Sequence, residues 1–468
     1  MFSGQAKTFK PMKIIILGAG QVGTSVAETL AGEANDITVV DHDIKKLDAL
    51  KDRLDIRTVH GNASYPNVLE NAGANDADLL IALSSSDEIN MMACQVAYTL
   101  FHTPHKIARV RSQEYLERTK LFDRKAIPID EIISPHREVT NHIHRLIKHP
   151  TALQVVNFAD GLVQLVGVKA VEGGPLVGHA LSTLREHIPS VDTRVAAIYR
   201  QNRSIIPEGK TVIEVGDEVF FIAAKRDIRQ VISELRSLEK HYKSIMIVGG
   251  GNIGERLASE LENDYQVKLL ERSPERCEQL SISLDKTIVL QGDASDDELL
   301  LDENIQKVDM FCALTNNDEV NVMASLMAKN LGAGKVMTLI NNPAYVDLMQ
   351  GGSIDIAFSP QQITVGRLLR HVRQGDIVNV HSLRHGAAEA IEVIARGDQK
   401  SSKVVGRALE NIPLPKGTTI GALVRDGQVI IAHDDVVVES EDHIILFLPD
   451  KKKVREVERL FQVGLGFF

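Results

Sequence analysis

The stretch KIIILGAGQVG, residues 13–23, decides the fold of the first part of this 468-residue chain. A short apolar run typical of a buried strand leads into glycines with the spacing G-x-G-x-x-G, and a helical pattern follows. Glycines at these positions permit a tight turn, a close approach of phosphate to the backbone, and packing of the helix on the strand. The motif is common by itself, so its context has to establish what it does.

The same stretch returns as SIMIVGGGNIG, residues 244–254, and other landmarks repeat with it. The glycine motifs, the segments VHGNAS and LQGDAS, and the segments ALSSSDEINMMA and ALTNNDEVNVMA are each separated by 231 residues. A constant offset across three landmarks indicates gene duplication. The chain therefore contains two copies of one unit.

Within each copy, the first half alternates short apolar runs with helical patterns, as in KIIIL, VGTSVAETLA, DITVVD, KKLDALKDR, IRTVHG, PNVLENAG and ADLLIAL. This order predicts an α/β fold with a doubly wound parallel sheet of the Rossmann type. The second half has alternating strands and hairpin turns, such as Arg200 to Arg203 and Asp426-Gly427. It predicts a small α+β module.

These patterns predict four domains. Residues 12–140 and 243–365 are the nucleotide-binding halves, and residues 154–238 and 379–464 are the small modules that follow them. Helical spacing predicts two connecting amphipathic helices, one with Val139, Ile143 and Leu146 and the other with Val365, Leu368, Leu369 and Val372. Residues 1–11 precede a second Met and lack periodicity, so we interpret them as an alternative start or an added leader.

The composition narrows the class of protein. Hydrophobic residues make up 44% of the chain and charged residues 25%, which is typical of globular domains. A net charge of −10 provides no broad basic surface, so neither nucleic acid nor anionic lipid is an expected partner. No apolar run is long enough for a membrane span, no signal peptide is visible, and the three cysteines are scattered, so we expect a cytoplasmic, reduced protein.

An acidic residue ends the second predicted strand of each copy. Asp41 ends ITVVD, 18 residues after Gly23, and Glu271 ends VKLLE at the equivalent place. An acid there accepts hydrogen bonds from the ribose hydroxyls of an adenine nucleotide, whose phosphates lie on the helix N-terminus. Both copies are therefore predicted to bind NAD or ADP/ATP, and a 2′-phosphate is disfavoured.

Polar residues also follow the third and fourth strands. Asn62 of GNAS and Asp293 of GDAS either border the adenine or cap the next helix, and the sequence leaves both interpretations open. Hydroxyl and carboxyl groups follow the fourth strand of each copy, at Ser84, Asp87, Thr315 and Asp318. We interpret them as helix caps rather than catalytic groups.

Arginines follow the fifth strand in the first copy only. Arg109 and Arg111 lie in KIARVRS, whereas the corresponding KVMTLIN has no arginine. Arg109 either neutralises a polyphosphate or forms an ordinary surface ion pair. If Arg109 neutralises a polyphosphate, the nucleotide site of the first copy takes a more highly charged nucleotide than that of the second.

The candidate cofactor-binding residues of the first copy are Gly18, Ala19, Gly20, Gln21, Val22, Gly23, Asp41, Asn62, Ala63, Ser84 and Arg109. Those of the second copy are Gly249, Gly250, Gly251, Asn252, Ile253, Gly254, Glu271, Asp293, Ala294 and Thr315. No catalytic residue is predicted, because GxSxG, HExxH and GxxxxGK[ST] motifs are absent. Histidines cluster at 136, 142, 144 and 149, but His142 and His144 do not share a helical face and no cysteine or paired acid completes a set, so no metal site is predicted.

With two glycine fingerprints, an acid after each second strand, GNAS and GDAS, and a β-rich module after each sheet, the chain resembles the TrkA family of potassium-uptake regulators. The resemblance covers residues 12–464 and implies tandem RCK (KTN) domains with a TrkA-N and a TrkA-C part each. It implies regulation by NAD(H) and by ATP or ADP without catalysis. It also implies a homo-tetrameric ring, peripheral on the cytoplasmic face of the inner membrane, beneath a TrkH- or TrkG-type potassium channel.

The resemblance assigns the phosphates to the two glycine loops, the ribose to Asp41 and Glu271, and the adenine border to Asn62, Ala63, Asp293 and Ala294. Two other functions stay open on sequence grounds. One is an NAD-dependent oxidoreductase, supported only by the fingerprint. The other is an assembly scaffold whose fingerprint is vestigial, although the glycines are intact in both copies.

Overall fold

The computed structural model describes residues 11–32, 35–123, 125–201, 203–235, 242–342, 345–346, 349, 353–372, 376–383, 388–433, 435–450 and 453–463. Nearly all of the predicted leader, and parts of the predicted modules 154–238 and 379–464, lie outside these residues. The chain forms two compact units, Met1–Glu138 with Ile363–Leu368, and Val139–Gln362 with Leu369–Phe468.

A parallel six-stranded sheet forms the first half of the first copy. Its strands are β1 Lys13–Leu17, β2 Asp36–Asp41, β3 Arg57–His60, β4 Leu79–Ala82, β5 His105–Arg109 and β6 Glu131–Ile133, in the order β3-β2-β1-β4-β5-β6. The helices are α1 Gln21–Ala31, α2 Ile44–Lys51, α3 Pro66–Asn71, α4 Asp87–Phe101, α5 Gln113–Leu116 and α6 Pro135–Lys148. Strands such as Ile14–Leu17 are buried, as expected of a parallel sheet covered by helices.

An antiparallel five-stranded sheet follows. Its strands are β7 Ala152–Phe158, β8 Val163–Lys169, β9 Thr193–Arg200, β10 Arg203–Ile205 and β11 Glu218–Ala224, in the order β10-β9-β11-β8-β7, with helices α7 Leu184–His187 and α8 Ile228–Ser233. The predicted hairpin closes with Arg200 paired to Arg203.

The second copy repeats both architectures. Its parallel sheet contains β12 Ser244–Val248, β13 Gln266–Glu271, β14 Ile288–Gln291, β15 Met310–Ala313, β16 Lys335–Leu339 and β17 Ile356–Phe358, in the order β14-β13-β12-β15-β16-β17. Its helices are α9 Asn252–Leu261, α10 Pro274–Ser283, α11 Asp297–Asp302, α12 Asp318–Asn330 and α13 Pro360–Val372.

The final antiparallel sheet contains β18 Ile377–Leu383, β19 Ala388–Ile394, β20 Thr419–Arg425, β21 Gln428–Ile431 and β22 His443–Leu448, in the order β18-β19-β22-β20-β21, followed by α14 Val454–Phe461. The predicted turn at Asp426-Gly427 has positive φ at both residues and closes β20 on β21. The predicted fold class, two Rossmann-like sheets each followed by a small α+β domain, is therefore confirmed.

The connecting helices are shared between the two compact units. Residues 363–368 of α13 follow the second parallel sheet in sequence but belong to the unit of the first. Within that unit Arg367 donates a hydrogen bond of 3.1 Å to Glu131 at the start of β6. Conversely, α6 from Val139 onward belongs to the other unit, where the His142 ring lies 5.8 Å from that of Phe358. No helix in the described part of the chain is long and apolar enough to cross a membrane.

The two antiparallel sheets, both within the second compact unit, share one apolar core. The Phe220 ring of β11 lies 5.9 Å from the ring of Tyr199 on β9 and 6.0 Å from that of Phe447 on β22, and these two rings lie 6.5 Å apart, so the three form one cluster. All three side chains are buried. The two small modules therefore stabilise one another through a continuous aromatic contact.

Replacement of Phe220 by Ala should lower the free energy of unfolding by about 3–5 kcal/mol, because the lost ring leaves a cavity beside two other buried rings. The midpoint of urea unfolding, followed by circular dichroism, measures this. Ile282→Ala is the matched control, since Ile282 is 81% exposed, and it should change the midpoint little. Equal effects of the two substitutions would show that the aromatic contact is not part of the stabilising core.

Candidate functional site

Two glycines of the first loop are required by the packing of the protein itself. Gly18 has φ of 104°, and a Cβ there would lie 3.0 Å from the backbone of Leu83 and Ser84. A Cβ on Gly23 would lie only 1.9 Å from the Gly18 carbonyl oxygen. The second loop repeats both constraints, because Cβ atoms on Gly249 and Gly254 would meet Thr315 at 3.0 Å and the Gly249 carbonyl oxygen at 1.9 Å.

The middle glycine of each loop is different. A Cβ on Gly20 or Gly251 would meet no protein atom within 4 Å. Each of these glycines is the N-cap residue of its helix, and no side chain caps α1 or α9. The backbone N–H groups of the first helical turn, at Gln21 and Val22 or at Asn252 and Ile253, therefore face open space at the positive end of a helix dipole.

The predicted ribose acids hold the glycine loops. Asp41 Oδ2 accepts a hydrogen bond of 2.6 Å from the Ala19 N–H, and its Oδ1 accepts one of 2.8 Å from Asp43. Glu271 Oε2 accepts a 2.7 Å hydrogen bond from the Gly250 N–H, and its Oε1 accepts hydrogen bonds from Arg272 and Ser273. Aspartate and glutamate thus fix the same loop position in the two copies, and each carboxylate lies beside its loop.

The longer glutamate is accompanied by a smaller loop residue. A Cβ at Gly250 would lie 2.4 Å from Leu280 and 3.2 Å from Glu271 Oε2, so the alanine found at position 19 would clash here. The extra glycine of GGGNIG therefore leaves room for the Leu280 side chain and Glu271, and an alanine there would require Leu280 to shift. Sequence analysis gave this glycine no separate role, although the difference between GAG and GGG is its visible signal.

The residues after the third strands form side-chain turns rather than helix caps. Asn62 Oδ1 accepts hydrogen bonds from the N–H and the hydroxyl of Ser64 at 3.0 Å and 2.8 Å. Asp293 Oδ1 accepts the same pair from Ser295, and these bonds hold the pKa of Asp293 below its usual value. The helix-cap interpretation of both residues is wrong, since Asp296 caps α11 and no side chain caps α3. Ala63 and Ala294 are buried.

The helix caps after the fourth strands lie elsewhere than predicted. Ser86 caps α4 by accepting a hydrogen bond from the Ile89 N–H, and Asn317 caps α12 through Val320. Ser86 and Asn317 lie two residues after the predicted caps Ser84 and Thr315. They are the caps because an N-cap residue has an extended backbone and directly precedes the helix.

The predicted capping acids instead tie down the segments after the fifth strands. Asp87 Oδ2 accepts hydrogen bonds of 2.8 Å from the N–H groups of Arg111 and Ser112. Asp318 accepts hydrogen bonds of 2.8 Å and 3.0 Å from the N–H groups of Asn341 and Asn342. Each acid is the first residue of its helix, and its carboxylate binds backbone N–H groups after the neighbouring fifth strand. The interpretation of Asp87 and Asp318 as helix caps is therefore wrong.

A fully buried asparagine in each copy was missed by sequence analysis. Asn90 accepts a hydrogen bond from the Ser84 N–H and donates to the carbonyl oxygens of Ser84 and Arg109. Asn321 makes the same three contacts with Thr315 and Leu339. The shared pattern DEIN and DEVN was the available signal. These amides join the loop beside the glycines to the end of the fifth strand.

Arg109 lies at the same edge and makes no ion pair with the part of the chain that the structure describes. Its guanidinium donates a 2.5 Å hydrogen bond to the Ser84 carbonyl oxygen. Burial, followed by repulsion from Arg111, lowers the pKa of Arg109 to about 10. The surface ion-pair interpretation is therefore wrong for Arg109, whereas Arg111 approaches Asp87 at 3.8 Å.

In each copy the structure brings the glycine loop, the acid and the residue after the fourth strand together at the carboxyl edge of the parallel sheet. This arrangement can bind an anion through backbone N–H groups. Within the described ranges, no three His, Cys, Asp or Glu side chains are grouped to hold a metal ion. Burial raises the pKa of Cys94 and Cys312 to about 12, so neither thiol is an available nucleophile near neutral pH.

Comparisons with known proteins agree with this architecture. The TrkA-N domain model matches residues 14–135 and 245–360, and the TrkA-C domain model matches residues 165–236 and 398–462. Trk system potassium uptake protein TrkA of Halomonas elongata is 67% identical over 98% of this chain and 100% of its own length. The protein of the same name from Vibrio alginolyticus is 61% identical over 96% of this chain and 99% of its own length.

Solved structures show the same fold at low sequence identity. The GsuK RCK domain has a TM-score of 0.60 at 18% identity, covering 97% of this chain and 95% of that one. The GsuK channel bound to NAD has a TM-score of 0.59 at 17% identity, covering 97% and 79% respectively. These likenesses show that this chain shares its fold with those structures.

The chain belongs to the TrkA family. Its relatives are named for potassium uptake and not for an enzymatic reaction, in agreement with the sequence-based prediction that the chain is not an enzyme. The alternative of an NAD-dependent oxidoreductase is thereby overturned.

Replacement of Asn90 or Asn321 by Ala should destabilise the respective sheet edge by about 2–4 kcal/mol, because each change leaves buried backbone groups without partners. Thermal unfolding measured by circular dichroism tests this. Met92→Ala serves as the control on the same helix α4, since Met92 is 53% exposed. If the asparagine variants were as stable as this control, the buried amides would not be structural links.

Proposed function

We propose that this chain is the nucleotide-sensing regulatory subunit of a Trk-type potassium uptake system. One observation carries the nucleotide part: Gly20 and Gly251 leave space that the packing of the protein does not require, in front of uncapped helix N-termini. Family membership supports the potassium part, because the relatives are Trk system potassium uptake proteins.

The proposed ligands are NAD(H) and ATP or ADP, one nucleotide in each copy. In this proposal the phosphates lie on residues 18–23 and 249–254, the riboses lie beside Asp41 and Glu271, and the adenines border residues 62–63 and 293–294. The two carboxylates support this placement, because each is fixed beside its loop by backbone hydrogen bonds. A similar structure described as the GsuK channel bound to NAD is consistent with such a ligand.

The proposed partner is a TrkH- or TrkG-type potassium channel subunit, with the chain forming a homo-tetrameric ring at the cytoplasmic face of the inner membrane. Residues 12–140 and 243–365 act as nucleotide-binding halves, and residues 154–238 and 379–464 as the modules that follow them. A nucleotide gates the channel only if it binds one conformation better than another, and such couplings are typically about 1–3 kcal/mol.

The hydrogen bonds of the site suggest where the nucleotide signal enters the fold. Ser84 lies against the glycine loop, Asn90 binds both Ser84 and the Arg109 carbonyl oxygen, and Asp87 holds the following segment. A ligand that displaces the loop therefore acts on the end of β5, which neighbours β6 and hence the start of α6. The second copy contains the equivalent contacts through Thr315, Asn321 and Asp318.

Replacement of Gly20 or Gly251 by Ala should weaken nucleotide binding at the altered loop by roughly tenfold or more, since the new methyl group occupies the space of a phosphate. Folding stability should change by less than about 1 kcal/mol, because the methyl group meets no protein atom. Calorimetric titration with ATP and NADH, together with thermal unfolding, measures both properties.

Gly32→Ala is the matched control, because its Cβ would meet only ordinary contacts at 3.6 Å and beyond. It should leave affinity unchanged. Wild-type protein that bound neither NADH nor ATP would end the proposal, as would Gly20→Ala and Gly251→Ala variants that bound both normally.

Potassium flux into vesicles that contain the channel subunit tests the regulatory part. Addition of this chain should make the flux depend on NAD, NADH, ADP or ATP, and the combined Gly20→Ala, Gly251→Ala variant should lose that dependence while Gly32→Ala keeps it. Flux that ignored all four nucleotides would contradict gating. Constant absorbance of NADH during the assay checks that no hydride transfer occurs.

A further inference from the structure

An ion pair lies beside the second glycine loop and joins it to two helices. Arg276, on α10, donates a 2.8 Å hydrogen bond from its Nε to the Gly250 carbonyl oxygen. Its Nη2 donates one of 2.6 Å to Glu255 Oε2 on α9. The Arg276 and Glu255 side chains are 28% and 31% exposed, so the pair is partly shielded from water. Helix α10 is therefore tied both to the loop and to the helix that follows the loop.

The acidic partner of this pair lies at the end of the helix that the proposal assigns to phosphate. Glu255 is the fourth residue of α9 and the acid of its first turn. Its Oε1 accepts a 2.8 Å hydrogen bond from the Ser283 hydroxyl, so both carboxylate oxygens are bound by α10. A negative charge in the first turn of a helix is attracted by the positive end of the helix dipole, where a phosphate would also bind. An unpaired Glu255 carboxylate would therefore repel that phosphate.

The guanidinium of Arg276 lies close to the same space. Gly250, whose carbonyl oxygen it binds, directly precedes Gly251, the N-cap residue of α9. A Cβ on Gly251 would meet no protein atom within 4 Å. The positive charge thus bridges the glycine loop and the acid, at the edge of the open space in front of the helix.

The first copy contains neither partner of this ion pair. The fourth residue of α1 is the neutral Thr24, and no acid lies in the first turn of that helix. Five residues after the predicted ribose acid, where the second copy has Arg276, the first copy has Lys46. In the described part of the chain the Lys46 ammonium lies 4.0 Å from Asp43 and forms no hydrogen bond to the loop. The acid and the cation that binds it therefore occur together, in one copy.

We infer that Arg276 is a positioning residue of the second nucleotide site, which neutralises Glu255 and holds its carboxylate at α10, so that the N-terminus of α9 accepts phosphate. The inference rests on the proposed nucleotide function of the second loop. An uncharged side chain at position 276 would release the carboxylate and leave its charge beside the phosphates. The first site needs no such residue, because its helix begins without an acid.

Calorimetric titration of the full chain with ATP and NADH tests the inference in the Gly20→Ala background, which isolates the second site. For each of the two nucleotides that binds there, Arg276→Met should lower the affinity roughly tenfold, and Arg276→Lys, which keeps the charge, should retain most of it. Lys46→Met in the Gly251→Ala background is the matched control, and it should change the affinity of the first site by less than about twofold.

Unchanged affinity in the Arg276→Met variant would overturn the inference, as would an equal loss in the Lys46→Met control, which would show a general effect of surface charge. A Gly20→Ala protein that bound neither ATP nor NADH would instead refute the proposed function of the second loop. The two failures are therefore distinguishable.

Removal of the acid separates the effect of charge from a purely structural role of Arg276. Arg276→Met combined with Glu255→Gln should restore the affinity to within about threefold of the Gly20→Ala parent, because no carboxylate is left to repel phosphate. A double variant that bound as weakly as Arg276→Met would show that Arg276 acts by holding the loop alone, and would overturn the inference.

If Arg276→Met does not fold, Glu255→Gln by itself decides. This variant keeps the hydrogen bond from Arg276 to Gly250 and leaves the positive charge uncompensated, so the affinity should rise roughly threefold. An affinity equal to or below that of the parent would contradict the inference.

Discussion

One hydrogen bond holds the glycine loop of each parallel sheet in place, from a backbone N–H of the loop to the carboxylate at the end of the second strand. Asp41 accepts it from Ala19, and Glu271 accepts it from Gly250. A charge-assisted bond of this kind fixes a loop that has little side-chain packing of its own. Because the loop is fixed, the helix that follows starts with its N–H groups directed into open space.

The duplication has kept this loop and changed its surroundings. The acid is one methylene longer in the second copy, and the loop has lost one methyl group beside it. The buried Asn90 and Asn321 preserve the link to the fifth strand, yet that strand ends in Arg109 in one copy and Leu339 in the other. The two copies therefore share the geometry of the site and differ in its electrostatic character.

Much of the fold could be predicted from the sequence, because apolar runs, glycine spacing and a constant offset report on backbone periodicity. The strands from Lys13 to Ala82, the two glycine loops and the connecting helices with Val139 and Val365 were visible in this way. The helix caps were not. Ser84 and Ser86 look alike as residues, and only the backbone conformation before α4 decides which one accepts the hydrogen bond from the helix.

Side-chain links across the sheet edge were equally hidden. Asn90 joins residues 6 and 19 positions away, and Asp87 joins residues 24 and 25 positions away. Local patterns carry no information about such partners, since the sheet order that brings them together is a tertiary property. The burial that leaves Arg109 without an ion pair has the same origin, so sequence analysis could name the residue but could not choose between a phosphate and a surface partner.

The central claim is that nucleotides occupy both glycine loops, and amide hydrogen exchange tests it most directly. With saturating ATP or NADH, exchange should slow at the first-turn amides of α1, at Gln21 and Val22, and of α9, at Asn252 and Ile253. The amides of α8 in the antiparallel module, which lies outside both proposed nucleotide sites, should keep their rate. Nucleotide binding that left exchange at both loops unchanged would place the ligand elsewhere and contradict this account.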